Sequence, residues 1–369
     1  MTRTTPPRPV DVAALFPALA AHRRTATRLH PRPGTAQADE SSVGGPLLWP
    51  ADEPWPVCTA VHTKGTGHRL SDVRLSRRVH AEARGRALTP QELRLLDGMT
   101  RGRHAPELRD EDAVPLLAVA QLHTRDVPDL VGPEGHDLLQ VLWCPFEAHG
   151  PHRTIDVRLV WRRSADVGAV LAPQPEPEVV GREECVPTAC VLHPEQVVEY
   201  EYLGLLDEEL QDAIDAWEES LDDDDDDDEG EEDGEGDDDG DSGAPVSHAT
   251  YEEYEAAMAA ARAAEPETVD YMSDLSIAPG WKVGGFASWH LTDPAPVDCA
   301  SCGTPMPPLL TVAGVECDGA SHSWIPVEDR DAADDPRVIA PVGVYLGRGL
   351  LRVHTCPAGP DHPHRLSFQ

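Results

Sequence analysis

Leu138-Leu139-Gln140-Val141-Leu142-Trp143-Cys144-Pro145 and Leu350-Leu351-Arg352-Val353-His354-Thr355-Cys356-Pro357 are one pattern written twice: Leu-Leu-x-Val-x-x-Cys-Pro. An apolar run of this length, closed by Pro, reads as a buried strand. Two further blocks repeat in the same order. Val43-Gly44-Gly45 with Trp49, Pro54, Pro56 and Val57 returns as Val283-Gly284-Gly285 with Trp289, Pro294, Pro296 and Val297. Pro115-Leu116-Leu117 with Val119-Ala120 returns as Pro308-Leu309-Leu310 with Val312-Ala313. Three blocks in one order indicate an internal duplication. The expected fold is α+β: two pseudo-symmetric, mainly antiparallel β modules with peripheral helices and a disordered acidic linker.

The rest of the chain is placed around these blocks. Residues 1–40 read as an N-terminal arm with one short helix capped by Asp11. The first repeat is expected over 41–200, with a helical basic insertion at about 59–112. Within it, Thr89-Pro90-Gln91-Glu92 is a capping box with Pro at the first helical position. Ile155, Val157, Leu159 and Trp161 alternate with polar residues, as in a strand with one wet face. Residues 201–269 hold an amphipathic helix from Asp207 to Leu221, the acidic tract 222–246, and an Ala-rich helix opening at Thr250. The second repeat is expected over 270–369.

The formal charge of -37 is concentrated in one place. Asp222 to Asp241 is nearly all acidic and cannot bury enough apolar surface to fold. The remaining chain is still acidic, which argues against a phosphate-backbone partner. The insertion is the exception: Arg69, Arg74, Arg77, Arg78 and Arg84 form a basic patch that the acidic tract could screen, although a solvated spacer is the simpler reading of the tract. No apolar run approaches the ~20 residues that span a bilayer. The N-terminus carries no clear export signal, so a cytoplasmic protein is expected.

Eight Cys in 369 residues are too few and too scattered for a disulfide framework. Cys299-Ala300-Ser301-Cys302-Gly303 is the sharpest motif: two thiolates on a tight turn, with Gly to permit close backbone approach. Cys356 supplies a third sulfur, and His362 the fourth ligand, with His364 as the alternative. This set is expected to hold structural Zn²⁺. A weaker second set is Cys58, His62, Cys144 and His149. Its other reading is that the earlier copy lost the motif and keeps Cys144 for packing. Cys185, Cys190 and Cys317 read as inert core thiols, and His123 as a structural histidine near Asp126. No nucleophile elbow, phosphate loop or His-Glu-x-x-His occurs.

Taken together, these motifs resemble the YwqG-like family, a bacterial domain of unknown function. The match runs through Val283-Gly284-Gly285, Cys299 to Met306, and Gly349 to His362 in the later copy. In the earlier copy it runs through Val43-Gly44-Gly45, Pro115 to Gln121 and Asp137 to Cys144. The resemblance implies a duplicated α+β fold rich in antiparallel strands and transfers no catalytic residues. The expected function is non-catalytic protein binding or scaffolding, immunity-like or regulatory, with another protein as partner. The alternative is a hydrolase-like enzyme with its pocket between the repeats. Oligomeric state is left open.

Overall fold

The computed structural model describes residues 2–83, 86–100, 107–150, 153–223, 269–317 and 320–369. Twelve strands build the framework. They are β1 (Arg23–Arg28), β2 (Arg32–Pro33), β3 (Ser42–Val43), β4 (Leu117–His123), β5 (Leu138–Trp143), β6 (Val157–Arg162), β7 (Cys190–Val191), β8 (Glu195–Tyr200), β9 (Lys282–Gly284), β10 (Pro308–Ala313), β11 (Leu350–His354) and β12 (Arg365–Phe368). They form two antiparallel six-stranded sheets, in the orders β2-β7-β3-β4-β5-β6 and β8-β1-β9-β10-β11-β12. The fold is α+β, as the sequence predicts.

Each sheet contains the same meander. Strands β3-β4-β5-β6 in one match β9-β10-β11-β12 in the other. Pairing fixes the equivalence: Val43 sits opposite Ala120, and Val283 opposite Leu310. Both central pairs carry one bulge, between Ala118 and Ala120 and between Pro308 and Leu310. Leu117-Ala118 therefore corresponds to Pro307-Pro308. The Pro-Leu-Leu match read from the sequence is out of register by three residues. Hydrogen bonding and the bulge decide register, and an odd slip would turn the core face of the strand to the opposite side.

The remaining two strands of each sheet revise the expected domain boundaries. β1 and β2 are halves of one extended segment, as are β7 and β8. The two segments run antiparallel, pairing Arg28 with Glu195 at one end and Pro33 with Cys190 at the other. Between these ends the His193 N–H donates to the Leu29 carbonyl (2.9 Å). Each segment thus starts in one sheet and finishes at the edge of the other. The two carry a fourth repeated block that the sequence reading missed: Thr25-Ala26-x-x-Leu29-His30-Pro31 and Thr188-Ala189-x-x-Leu192-His193-Pro194. The supposed arm 1–40 therefore contributes β1, an interior strand of the second sheet. The supposed end of the first repeat, β8, is the edge of that sheet.

Gly44 shows how tightly the crossing segments are held. Its φ is +64°, and a methyl group there would lie 2.7 Å from the Thr188 carbonyl oxygen. One apolar core takes residues from both sheets, including Val43, Val119 and Trp143 with Trp281, Leu310 and Val353. A smaller core surrounds Trp49, Leu142 and Phe146. A third packs the N-terminal helix α1 (Val12–Leu15) and the following turns against α4 (Glu208–Asp223) through Val12, Leu19, Leu210 and Ile214. Asp11 caps α1 through Ala14 N, but Pro17 ends the α-helical run early.

The insertion holds two helices, α2 (Leu70–Ala83) and α3 (Pro90–Thr100). The capping box forms: Thr89 N donates to Glu92 (2.7 Å), and Glu92 N to Thr89 Oγ1 (3.3 Å). The basic patch does not form as expected. Arg69 pairs with Glu107 and Glu178, and Arg74 with Glu176. Arg77 donates to the carbonyls of Glu183, Val186 and Gly343. These guanidiniums are already occupied by the chain's own acceptors. Arg84, most of the acidic tract and the Ala-rich helix lie outside the described residues.

Candidate metal centres

Both weak and strong metal sets of the sequence assemble. Cys58, His62, Cys144 and His149 form one cluster, and Cys299, Cys302, Cys356 and His362 the other. Within each, one ligand atom per residue lies within 4.8 Å of the others. They occupy the same place in the two modules. The first two ligands come from the loop between the first and second meander strands. The third is the Cys of Cys-Pro after the third strand, and the last is a His in the loop beyond it. The first copy did not lose its clamp; it replaced Cys-x-x-Cys with Cys-x-x-x-His.

In the first cluster, Cys58 lies on a two-residue strand, Val57–Cys58, paired with Val114–Pro115. Buried Lys64 fastens the same loop by donating to the carbonyls of Arg109 (2.9 Å), Asp110 (2.7 Å) and Asp112 (2.7 Å). His62 stacks on Phe146 at 4.5 Å between centroids, which holds its ring in the site. Its Nε2 is 3.3 Å from both Cys58 Sγ and Cys144 Sγ. His149 Nε2 is 3.9 Å from Cys58 Sγ. The His149 loop is closed by reciprocal backbone bonds with Thr154 (2.9 and 2.8 Å).

In the second cluster the knuckle turn is closed by Gly303 N to Cys299 O (2.8 Å) and Cys299 N to Thr304 O (2.9 Å). Gly303 has φ +72°, the conformation its lack of a side chain permits. Ser301 N points at Cys299 Sγ (3.4 Å), a bond that stabilises a thiolate. Cys302 Sγ and Cys356 Sγ are 3.5 Å apart. His362 Nδ1 is 3.5 Å from Cys299 Sγ and 3.3 Å from Cys356 Sγ. Met306 and Val297 back the cluster.

A tetrahedral ion with metal–ligand bonds of about 2.0–2.3 Å has ligand–ligand edges of about 3.3–3.8 Å. The closest contacts, 3.3–3.9 Å, lie near that figure, and all four ligand atoms of each set lie within 4.8 Å of one another. Both donor sets can therefore hold a metal ion. Burial pushes the His62 imidazole down to about 4, leaving it neutral at pH 7 as a ligand must be. Burial raises the Cys144 thiol, whereas hydrogen bonding at Thr304 lowers exposed Cys302 to about 6.

His364, the alternative fourth ligand, is elsewhere. It is half-buried beside Asp156 and the Val157 backbone of the first module. Cys185 and Cys190 are buried, and burial pushes both thiols up to about 12, which suits inert packing. His123 is buried in β4 opposite Leu138 and has neither ring nitrogen bonded, while Asp126 accepts from Ser41.

Two cavities flank the meanders. One, of about 390 Å³, lies beside Gly44-Gly45. The other, of about 460 Å³, lies beside Gly284-Gly285 at the junction of the modules and touches the second cluster through Cys356 and His362. Among the described residues no helix is long and apolar enough to cross a membrane. In comparison with known proteins, no family model and no curated sequence matches the chain.

Proposed function

We propose that this chain is a cytoplasmic, non-catalytic protein-binding scaffold whose two modules are each held by a structural Zn²⁺. The observation that carries the reading is closure of both donor sets. Four protein ligands fill a tetrahedron and leave no position for water or substrate, which is the arrangement of ions that stabilise folds. Thiolate and imidazole donors favour zinc over hard cations such as Mg²⁺ or Ca²⁺. The ions would tie the long loops that carry Cys58 and Cys299 to the strand ends at Cys144 and Cys356.

The junction cavity is the place an enzyme would use, but its polar groups support binding better. Asp129 already accepts from Thr25 (2.5 Å), Thr27 (2.7 Å) and Gln196 (3.1 Å). His362 turns Nδ1 toward the cluster. Among the described residues lining the cavity, the thiol–imidazole contact of Cys356 Sγ with His362 Nδ1 (3.3 Å) belongs to the metal cluster.

Elemental analysis of purified protein tests the metal half of the reading, with two zinc ions per chain expected. Protein that carries no zinc, or loses it with no change in melting temperature, would overturn it. Capture of partners from the native host, followed by reconstitution with purified partner, tests the binding half. Turnover of a hydrolase substrate panel, lost on substituting cavity residues, would refute it.

A further inference from the structure

The two clusters occupy equivalent places but differ in what covers them. Cys58 and Cys144 are buried in the smaller core, among Leu142, Phe146 and Val179. The Phe146 ring lies flat on His62 at 4.5 Å, which closes that side. The second cluster is more open. Of the eight cysteines, all within the described residues, Cys302 alone is exposed. It sits at the tip of the knuckle, and a methyl group added at the next residue, Gly303, would meet nothing within 4 Å. The turn beneath the tip is fixed: Asp298 bridges Pro305, Cys299 N donates to Thr304 O (2.9 Å), and Met306 N to Val297 O (2.8 Å). The exposed sulfur is thus held between solvent and the ligand set.

A metal-bound thiol is deprotonated outright. The thiolate is the form that attacks an oxidant, and access decides which thiolate reacts. Two more sulfurs belong to the same cluster. Cys299 Sγ is buried and accepts from Ser301 N (3.4 Å), a bond that lowers its nucleophilicity. Cys356 Sγ is 3.5 Å from Cys302 Sγ. A disulfide bond is about 2.05 Å long, so closing this pair moves the sulfurs by about 1.5 Å, within reach of side-chain rotation. The first module offers no such entry, because neither of its sulfurs is exposed and His62 Nε2 lies 3.3 Å from both.

We propose that Cys302 and Cys356 are a peroxide-reactive dithiol, which makes the second metal site redox-labile and leaves the first resistant. The Cys302 thiolate attacks the O–O bond of hydrogen peroxide. One oxygen stays on sulfur as a sulfenic acid, and the other leaves as hydroxide, which takes a proton to become water. The Cys356 thiolate then attacks the Cys302 sulfur and expels the second oxygen, likewise as hydroxide protonated to water. Two thiolates, one peroxide and two protons give one disulfide and two waters; the sulfurs lose two electrons and the peroxide gains them. Zinc loses two of its four ligands and leaves. Cys356 and His362 line the junction cavity, so the same event frees that wall. This proposal rests on the zinc reading above and concerns the second of its two sites.

The test uses full-length, zinc-loaded protein and a chromogenic zinc chelator too weak to strip either site unaided. Hydrogen peroxide should release one zinc ion per chain and leave the other. Peptide mapping should find a Cys302–Cys356 disulfide with Cys58 and Cys144 still reduced, and dithiothreitol with zinc should restore the site. Cys302→His keeps a ligand at the position, as His62 does in the first module, and should slow peroxide-driven release about tenfold or more. Circular dichroism and zinc content check that the variant is folded and loaded, and the wild-type mapping does not depend on it. Release of both ions at one rate, a disulfide between other cysteines, or release from the Cys302→His protein as fast as from wild type would overturn the proposal. Zinc-loaded protein that peroxide leaves intact also overturns it, while the zinc reading stands. Protein that holds no zinc fails that reading; peptide mapping after peroxide then still decides the dithiol, since a Cys302–Cys356 disulfide forming first supports it and any other pair refutes it.

Discussion

Replacing Glu199 should test how the crossing segments hold the second module. Its carboxylate is fully buried in β8. Oε1 accepts from Lys282 Nζ (2.5 Å) and Ala278 N (3.0 Å), and Oε2 from Phe286 N (2.8 Å). Glu199→Ala leaves a buried ammonium without a counter-charge, which costs about 3–5 kcal/mol. It also orphans two backbone N–H groups, at about 1–3 kcal/mol each if neither finds water. These penalties overlap, so a loss of about 4–6 kcal/mol is expected, a large part of a typical domain's ~5–15 kcal/mol. The double variant Glu199→Ala/Lys282→Met removes the stranded charge and should regain the larger share. Burial already lowers the Lys282 pKa in the wild type. Without its carboxylate the ammonium is held lower still, so the unfolded chain binds that proton more readily than the folded one. Stability of the single variant should therefore rise as pH increases from 7 toward the unfolded lysine value of 10.5. Urea unfolding followed by circular dichroism at fixed zinc, at pH 7 and 9, measures all of this. A single-variant loss below about 1 kcal/mol, or a double variant no better than the single, would refute the reasoning.

Four further outcomes are expected. Chelation should lower the melting temperature and release two zinc ions per chain, because the ligand loops lose the ions that close them; an unchanged melt refutes the structural role. A thiol-alkylating reagent should label Cys302 before Cys58, Cys144, Cys299 or Cys356, since Cys302 alone of these is exposed; peptide mapping showing equal rates would contradict this. Gly285→Ala should unfold the second module or nearly so, because φ is +72° and a methyl group would run into the Glu199 carboxylate; a soluble variant with the wild-type melt would disprove it. Finally, burial lowers His30 and His354 to about 4. Between pH 6.5 and 4 the unfolded chain takes up those protons first, so stability should fall as pH drops through that window. His354→Gln should flatten the slope in urea unfolding, and an unchanged slope would rule the histidine out.

The metal sets were legible because their chemistry is local. Cys-x-x-Cys-Gly encodes its own turn, and Cys-Pro marks the end of a buried apolar strand. The first set was harder to read: Cys58 and His62 lie 82 or more residues from Cys144, with the helical insertion between. Tertiary contacts bring them together: the Val57–Cys58 pairing with Val114–Pro115, the Lys64 clamp and the Phe146 stack. The capping box at Thr89 and the helix near Asp207 were likewise local signals, and both formed.

The amino-acid sequence alone indicated a duplicated chain, mainly antiparallel strands, and a set of Cys299, Cys302 and Cys356 with a following His; it left the choice between His362 and His364, and the Cys58 set, open. These follow from short-range pattern, turn chemistry and ligand type. The tertiary structure alone decided which strands belong to which sheet. β1 reads Arg-Arg-Thr-Ala-Thr-Arg, a surface-like run. It is nonetheless interior, because Arg28 finds acceptors at Thr5 Oγ1 and the buried Trp324 carbonyl, and its neighbours pair on both sides. Whether a charged strand can be buried here depends on an acceptor 296 positions away, and no local pattern carries that information.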